Sequence, residues 1–222
     1  MNNADDMGNK TRPQPQPQPL PQPLPLFPLQ TVLFPGALLH LKVFEARYLD
    51  LIGACMRDGT PFGVVCLKQG AEAGRGNNAI RLETVGVAVR IDDVDAQTPG
   101  ILQVRCMGQQ RFRITGTPAQ RENGLWVAQA EAIAGDVARS PGPAMIDTVS
   151  ALAEAIKKLQ QHDQVPFAPP YRLDDAGWVA NRWCELLPVP LPAKQKLMEL
   201  DDPVIRLSLV DGFLRDKKVV VG

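Results

Sequence analysis

The stretch LPLFPLQTVLFPGALLHLKVFEARYLDLIGACMRDG, Leu24 to Gly59, decides the architecture, because its periodicity changes once and its turns are written in proline and glycine. Leu26 to Leu33 is an apolar run carrying Pro28, whose missing N–H suits an edge strand or a bulge better than a central strand. Phe34-Pro35-Gly36 turns the chain. From Ala37 the residues alternate, with Leu39, Leu41 and Val43 on one face and Leu38, His40 and Lys42 on the other, the pattern of a strand with one wet side. Then Phe44, Tyr48, Leu51, Ile52, Cys55 and Met56 recur at helical spacing, with Glu45, Arg47, Asp50, Arg57 and Asp58 mostly opposite. That spacing predicts an amphipathic helix from about Glu45 to Asp58, stopped by Gly59. Glu45 near its start and Arg57 near its end both suit the helix dipole.

With 222 residues and 45% hydrophobic content, the chain can bury a sizeable core as one large domain or two small ones. Lysine plus arginine equals aspartate plus glutamate at 24 each, so nucleic acid or an anionic membrane would need a local basic patch. Cys55, Cys66, Cys106 and Cys184 are widely spaced within apolar segments and form no C-x-x-C pair, which reads as buried thiols. No stretch approaches about 18 uninterrupted apolar residues and the N-terminus lacks an apolar signal core. A soluble, cytoplasmic protein with no membrane contact is expected.

Pro13 to Pro25, PQPQPQPLPQPLP, places proline at every second residue and favours polyproline II. Residues 1–23 are expected to form a disordered Pro/Gln-rich arm, a stiff spacer or alternatively a ligand for proline-binding domains. Beyond the opening stretch, Thr60 to Leu67 reads as a buried strand and Lys68 to Asn78 as a Gly-rich loop without a phosphate-cradling pattern. Ile80 to Val94 alternates in two registers, with a bulge expected near Gly86. Thr98-Pro99-Gly100 turns the chain into two strands, Ile101 to Cys106 and Arg111 to Thr115, about Met107-Gly108-Gln109-Gln110. Leu125 to Ala132 follows the Asn123-Gly124 turn. About seven short strands with tight turns indicate a mainly antiparallel, closed or half-closed barrel over residues 24–138 with one inserted helix.

Residues 139–222 are expected to form a helical subdomain. Met145, Val149, Leu152, Ile156 and Leu159 make one apolar stripe. Asp174 or Asp175 caps a helix carrying Trp178, Val179, Trp183, Leu186 and Leu187, and Ala193 to Leu200 is a short helix. Asp201 is expected to cap the last one, with Ile205, Leu207, Val210, Phe213 and Leu214 buried.

Catalytic patterns are missing from this reading. Ser140, Ser150 and Ser208 occupy no nucleophile turn, His40 is on a wet strand face and His162 is in a polar loop. No His or Cys cluster has metal-ligand spacing, so no cofactor is expected. Cys184 sits among apolar neighbours, and the pairs Asp92-Asp93, Asp174-Asp175 and Asp201-Asp202 are explained as turns and caps. The basic cluster is Arg105, Arg111 and Arg113 around the expected hairpin, either a solvated sheet face or a contact for phosphate or an acidic partner.

In this order, FPG at Phe34–Gly36, FEARY at Phe44–Tyr48, VGVAVRI at Val85–Ile91, GQQRFRI at Gly108–Ile114 and the tail LLPVPLPAKQKLMELDDPVIRLSLVDGFL are quite specific. Over most of residues 24 to 215 the chain resembles the N-terminal substrate-binding domain of the Lon protease family and the small bacterial proteins that carry this domain alone. The resemblance implies an α+β fold, a PUA-like β barrel followed by a C-terminal α-helical bundle. In full-length relatives the domain precedes an ATPase and a serine-lysine protease and helps engage unfolded or tagged proteins. With neither a Walker motif nor a protease serine in this sequence, the resemblance implies a non-catalytic binding module. Glu45, Arg47 and Arg111 match charged positions of the family pattern, and are read here as helix-start and barrel ion pairs.

Three functions follow. The first is binding of unfolded or extended polypeptide, or of a dedicated protein partner, along a strand edge or in the cleft between barrel and helices. The second, less favoured, is RNA binding through Arg105, Arg111 and Arg113. The last is a small-molecule enzyme holding its ligand in the barrel mouth between carboxylates and arginines.

Overall fold

The structure, a computed structural model, describes residues 14–69, 80–161 and 166–220. His162 and most of the Gly-rich loop lie outside the described residues, as do residues 1–13 of the arm. Eight strands come first: β1(Leu24–Leu29), β2(Leu38–Val43), β3(Phe62–Gln69), β4(Arg81–Thr98), β5(Ile101–Ile114), β6(Ala119–Gln120), β7(Trp126–Ala128) and β8(Ala130–Ala132), with α1(Ala46–Asp58) between β2 and β3. The helices α2(Ile146–Gln161), α3(Ala176–Leu186), α4(Leu191–Glu199) and α5(Pro203–Asp216) follow.

The strands form one mixed sheet in the order β2-β5-β4-β3-β1-β7-β6, with β8 pairing β5 off that path. β1 runs parallel to β3, Leu26 opposite Gly63, and the other ladders are antiparallel. The path is open, with β2 and β6 at its ends, where the sequence suggested a closed or half-closed barrel. β1 is an interior strand and not an edge. Pro28 is tolerated because the β7 ladder covers only Leu24 to Leu26, so from there β1 is paired on one side alone.

The Met107–Gln110 turn expected from sequence does not exist: β5 runs unbroken from Ile101 to Ile114. Gly108 is needed for another reason. The Gly36 amide donates to its carbonyl at 2.8 Å, its own amide donates to Ala37 O at 2.9 Å, and a Cβ there would stand 2.7 Å from Phe34 O. The FPG turn is thus docked onto the middle of β5. The bulge near Gly86 is present, because two steps along β3, from Val65 to Leu67, match four along β4, from Gly86 to Leu82. Gly63 and Gly86 leave room for the ring of Phe112, 2.7 and 2.6 Å from where their Cβ atoms would lie.

Helix α1 buries Tyr48, Leu51, Ile52 and Cys55 and stops at Gly59, whose φ of 63° is left-handed. Phe44 and Met56, expected on its buried side, are 58% and 56% exposed. Asp175 caps α3, accepting from the Gly177 and Trp178 amides. Asp202, and not Asp201, caps α5. That helix buries Pro203, Arg206, Leu207, Val210, Asp211 and Leu214, while Ile205 faces out, 54% exposed. One hydrophobic cluster runs through both halves, from Phe34 and Val104 in the strands to Leu152, Trp183 and Leu207 in the helices. A second, around Phe112, Leu24 and Ala128, fills the other face of the sheet. All four cysteines are buried thiols.

Candidate functional site

Between β5 and the helices lies a cleft of about 730 Å³. Its floor is β5 from Met107 to Arg111, its far wall is the Ala168–Pro170 segment with Trp178 of α3, and its near wall is the arm, through Pro15, Gln16, Gln18 and Pro19.

Two buried arginines tie together the elements around this cleft. Arg182 of α3 donates to Pro35 O at 2.9 Å and to Glu185, and its guanidinium lies 5.4 Å over the Phe167 ring and 5.5 Å over Trp178. It therefore pins the FPG turn to the helices. Gly36, with φ of 79°, is needed for the turn and also for this approach, since a Cβ there would be 2.9 Å from the Arg182 Nη1. Burial raises the Glu185 carboxyl to about 7, against the lowering influence of Arg182 and Lys194.

Arg206 of α5 forms the second clamp. It donates to Asp136 Oδ2 at 2.6 Å, Asn181 Oδ1 at 3.0 Å, Leu197 O at 2.9 Å and Leu200 O. Arg111 of β5 reaches the same place, donating to Met198 O and Leu200 O at 3.0 Å each, and lies 3.5 Å from Asp136 Oδ1 and 3.3 Å from Asp201. Asp136 is the shared carboxylate that joins sheet to helices. Gly177 makes room for it, since a Cβ there would stand 2.7 Å from Asp136 Oδ2. Burial lowers the Arg111 pKa, Asp136 opposes that, and Arg206 adds to it. Burial also raises the Asp175 carboxyl, on the same wall, while the amides of Trp178 and Gly177 counteract it.

The arm is bonded to the β half by its glutamines. The Gln110 side chain accepts from the Gln18 amide and donates to the Gln18 carbonyl, both at 2.7 Å. Gln22 does the reverse to Ala130, donating to its carbonyl at 2.5 Å and accepting from its amide at 3.2 Å. Gln14 donates to Gly135 O at 2.8 Å.

The residues singled out in the sequence fall in three places. Glu45 and Arg47 form a 2.8 Å ion pair at the start of α1, where Arg47 also donates to Gly124 O at 3.0 Å. Glu45 borders a smaller groove of about 330 Å³ lined by Phe27, Leu39, Phe44 and Tyr48. Arg105 is half-exposed and held by Asp92 at 2.9 Å. Arg111 is buried at the clamp and Arg113 is exposed on the same strand. Sequence reading missed Asp136, Asn181, Arg182 and Arg206. The last carried a signal, because Pro203, Arg206, Leu207, Val210 and Leu214 keep helical spacing while Ile205 and Leu209 do not. Among the described residues no group of three His, Cys, Asp or Glu could hold a metal ion, and no helix is long and apolar enough to cross a membrane.

This is the architecture of a binding domain in which a β sheet and a helical tail flank a cleft. Residues 23–216 match the ATP-dependent protease La (LON) substrate-binding domain, and the chain belongs to that family. Among solved structures it is similar to a Lon N-terminal domain protein from Xanthomonas campestris, at 35% identity and a TM-score of 0.66, covering 85% of this chain and 96% of that one. It also shares its fold with the N-terminal domain of the Mycobacterium avium complex Lon protease, at 17% identity and a TM-score of 0.57, covering 87% and 98%. No curated protein matches the chain.

Proposed function

We propose that the chain is a non-catalytic, cytoplasmic module that binds extended polypeptide in the cleft between the sheet half, residues 24–138, and the helical half, residues 139–222. The family is a substrate-binding one, and the observation that carries the reading is the cleft itself. It is about 730 Å³, with Gln109 and Gln110 of β5 along one side and prolines and Trp178 facing them. Such a surface suits main-chain recognition with an aromatic contact. A PUA-like curl of the sheet fits this reading, because β7 and β8, separated by Gln129 alone, bond to β1 and β5 respectively. The RNA alternative has less support, since Arg111 is 4% exposed and Arg105 is paired with Asp92.

Fluorescence anisotropy against a labelled unfolded polypeptide and a labelled short RNA, each at low and high salt, tests the proposal. Saturable, salt-tolerant binding of the polypeptide is expected, weakened by Ala168→Trp, which places a large ring at the cleft wall. Salt-sensitive binding of RNA alone would overturn it.

A further inference from the structure

We infer that the cleft takes extended polypeptide with proline at alternate positions, and that the chain's own segment Gln14–Pro23 is its built-in competitor. This rests on the polypeptide-binding reading of the cleft.

The arm is held as a ligand would be. One side-chain amide, Gln110, satisfies both the amide and the carbonyl of Gln18, as a neighbouring strand would do, without reading the Gln18 side chain. Proline has no N–H, so a chain with proline at every second residue offers one amide per two residues, and Gln110 meets one of those that remain. Pro15 packs against Gly135, its ring atoms 3.2 Å from where a Cβ would lie, so glycine there admits the proline ring. The restricted backbone of such a segment loses little conformational freedom on binding, which favours weak contacts.

The arm is also displaceable. Gln14 to Pro19 are exposed, and Leu20 is the residue of the segment that packs on the hydrophobic core, against the cluster around Phe112. Pro15, Gln16, Gln18 and Pro19 wall the cleft that Trp178 also lines, so a segment that takes their place gains the Gln110 contact. Tethering gives the arm a high effective concentration, so a peptide of equal intrinsic affinity competes poorly until the arm is loosened.

The test uses the full chain, a loosened-arm variant carrying Gln14→Ala and Gln18→Pro, and that variant with Gln110→Ala added. Two fluorescent probes are titrated: the peptide PQPQPQPLPQP, and reduced, carboxymethylated α-lactalbumin as an unfolded polypeptide without proline alternation. The peptide is expected to bind the loosened-arm variant roughly tenfold more tightly than the wild type, and to lose that gain with Gln110→Ala. Hydrogen exchange on the wild type supplies a readout free of any substitution: saturating peptide should speed exchange at the Gln18 amide. Equal peptide affinity for wild type and variant, or an unchanged Gln18 amide, overturns the inference. If α-lactalbumin binds while the peptide binds neither protein, the inference fails and the cleft reading stands. If neither probe binds any of the three proteins, both fail.

Discussion

Replacing Asp136 by alanine is expected to cost the chain about 3 kcal/mol of stability, because two arginines are then left beside each other without their shared carboxylate. Arg206 and Arg111 are 2% and 4% exposed at the side chain, and Asp136, at 18%, stands 2.6 Å from one and 3.5 Å from the other. Removing one partner of a buried, hydrogen-bonded ion pair costs about 3 to 5 kcal/mol. The lower end applies here because water reaches part of Asp136, and because Arg111 keeps Asp201 at 3.3 Å. In a domain of this size each kcal/mol moves the thermal midpoint by about 2 to 4 °C, so a drop of about 6 to 12 °C is expected. Urea denaturation followed by tryptophan fluorescence gives the free energy directly. Trp183 and Trp178 on α3 lie close to the clamp, and Trp126 on β7 reports on the sheet. A double-mutant cycle with Arg206→Met isolates the pair: that substitution should cost less in the Asp136→Ala background than in the wild type. A loss below about 1 kcal/mol for Asp136→Ala would place the clamp with exposed surface pairs and show that the two arginines do not depend on this carboxylate.

Tyr48→Ala should cost about 3 kcal/mol in the same denaturation, since its buried ring stacks on Phe27 at 4.0 Å, whereas the exposed neighbour Phe44→Ala should change stability by less than about 0.5 kcal/mol. Gly86→Ala should destabilise by about 2 kcal/mol or more, because its Cβ would press within 2.6 Å of the Phe112 ring and closer still to the Val64 carbonyl; a midpoint within 2 °C of wild type, on the order of a 1 kcal/mol change or less, would contradict that packing. Glu185 has a folded-state pKa of about 7, raised from 4.5 by burial, so the folded chain holds its proton more tightly than the unfolded one. Its contribution is complete below about 4.5 and disappears as pH rises through about 7. The stability of the wild type relative to Glu185→Gln should therefore fall across that window, by at most about 3 kcal/mol. Thermal midpoints of the two proteins at pH 5 and pH 8 measure it, and a constant difference would show that Glu185 does not titrate there.

Local signals in the sequence were sufficient wherever the cause of a feature lay within a few residues. Gly59 ends α1, Asp175 caps α3, Gly100 with φ of 75° turns β4 into β5, and Glu45 meets Arg47 two positions on. Phe44 shares helical spacing with Tyr48 but lies outside the helix, which begins after Glu45, so that spacing carries no facing information. Other features have distant causes. Gly108 and the glutamines beside it look like a turn, yet Gly108 is small because the FPG turn rests on it. Arg111 alternates like a surface residue of a strand. It is buried because its partners come from 25 residues away, at Asp136, and from 87 away, at Met198. A charged side chain becomes an interior one only when such partners converge, and no local pattern encodes that convergence.

The same residues hold the halves together and shape the cleft, which constrains how any binding defect can be interpreted. Arg111, Asp136, Gly177 and Asn181 all line the cleft and all take part in, or make room for, the Arg206 clamp. A substitution among them changes stability and cleft width at once, so loss of polypeptide binding in Asp136→Ala says nothing about direct contact. Gln110 is different. Its two side-chain bonds to the arm are exposed, where each contributes about 0.5 kcal/mol, the low end for a hydrogen bond, and neither joins the clamp. Gln110→Ala should therefore leave the thermal midpoint within about 3 °C of wild type while altering what the cleft holds. Stability and occupancy separate at that one residue of β5, and a large fall in midpoint there would mean that the arm is part of the fold and not its ligand.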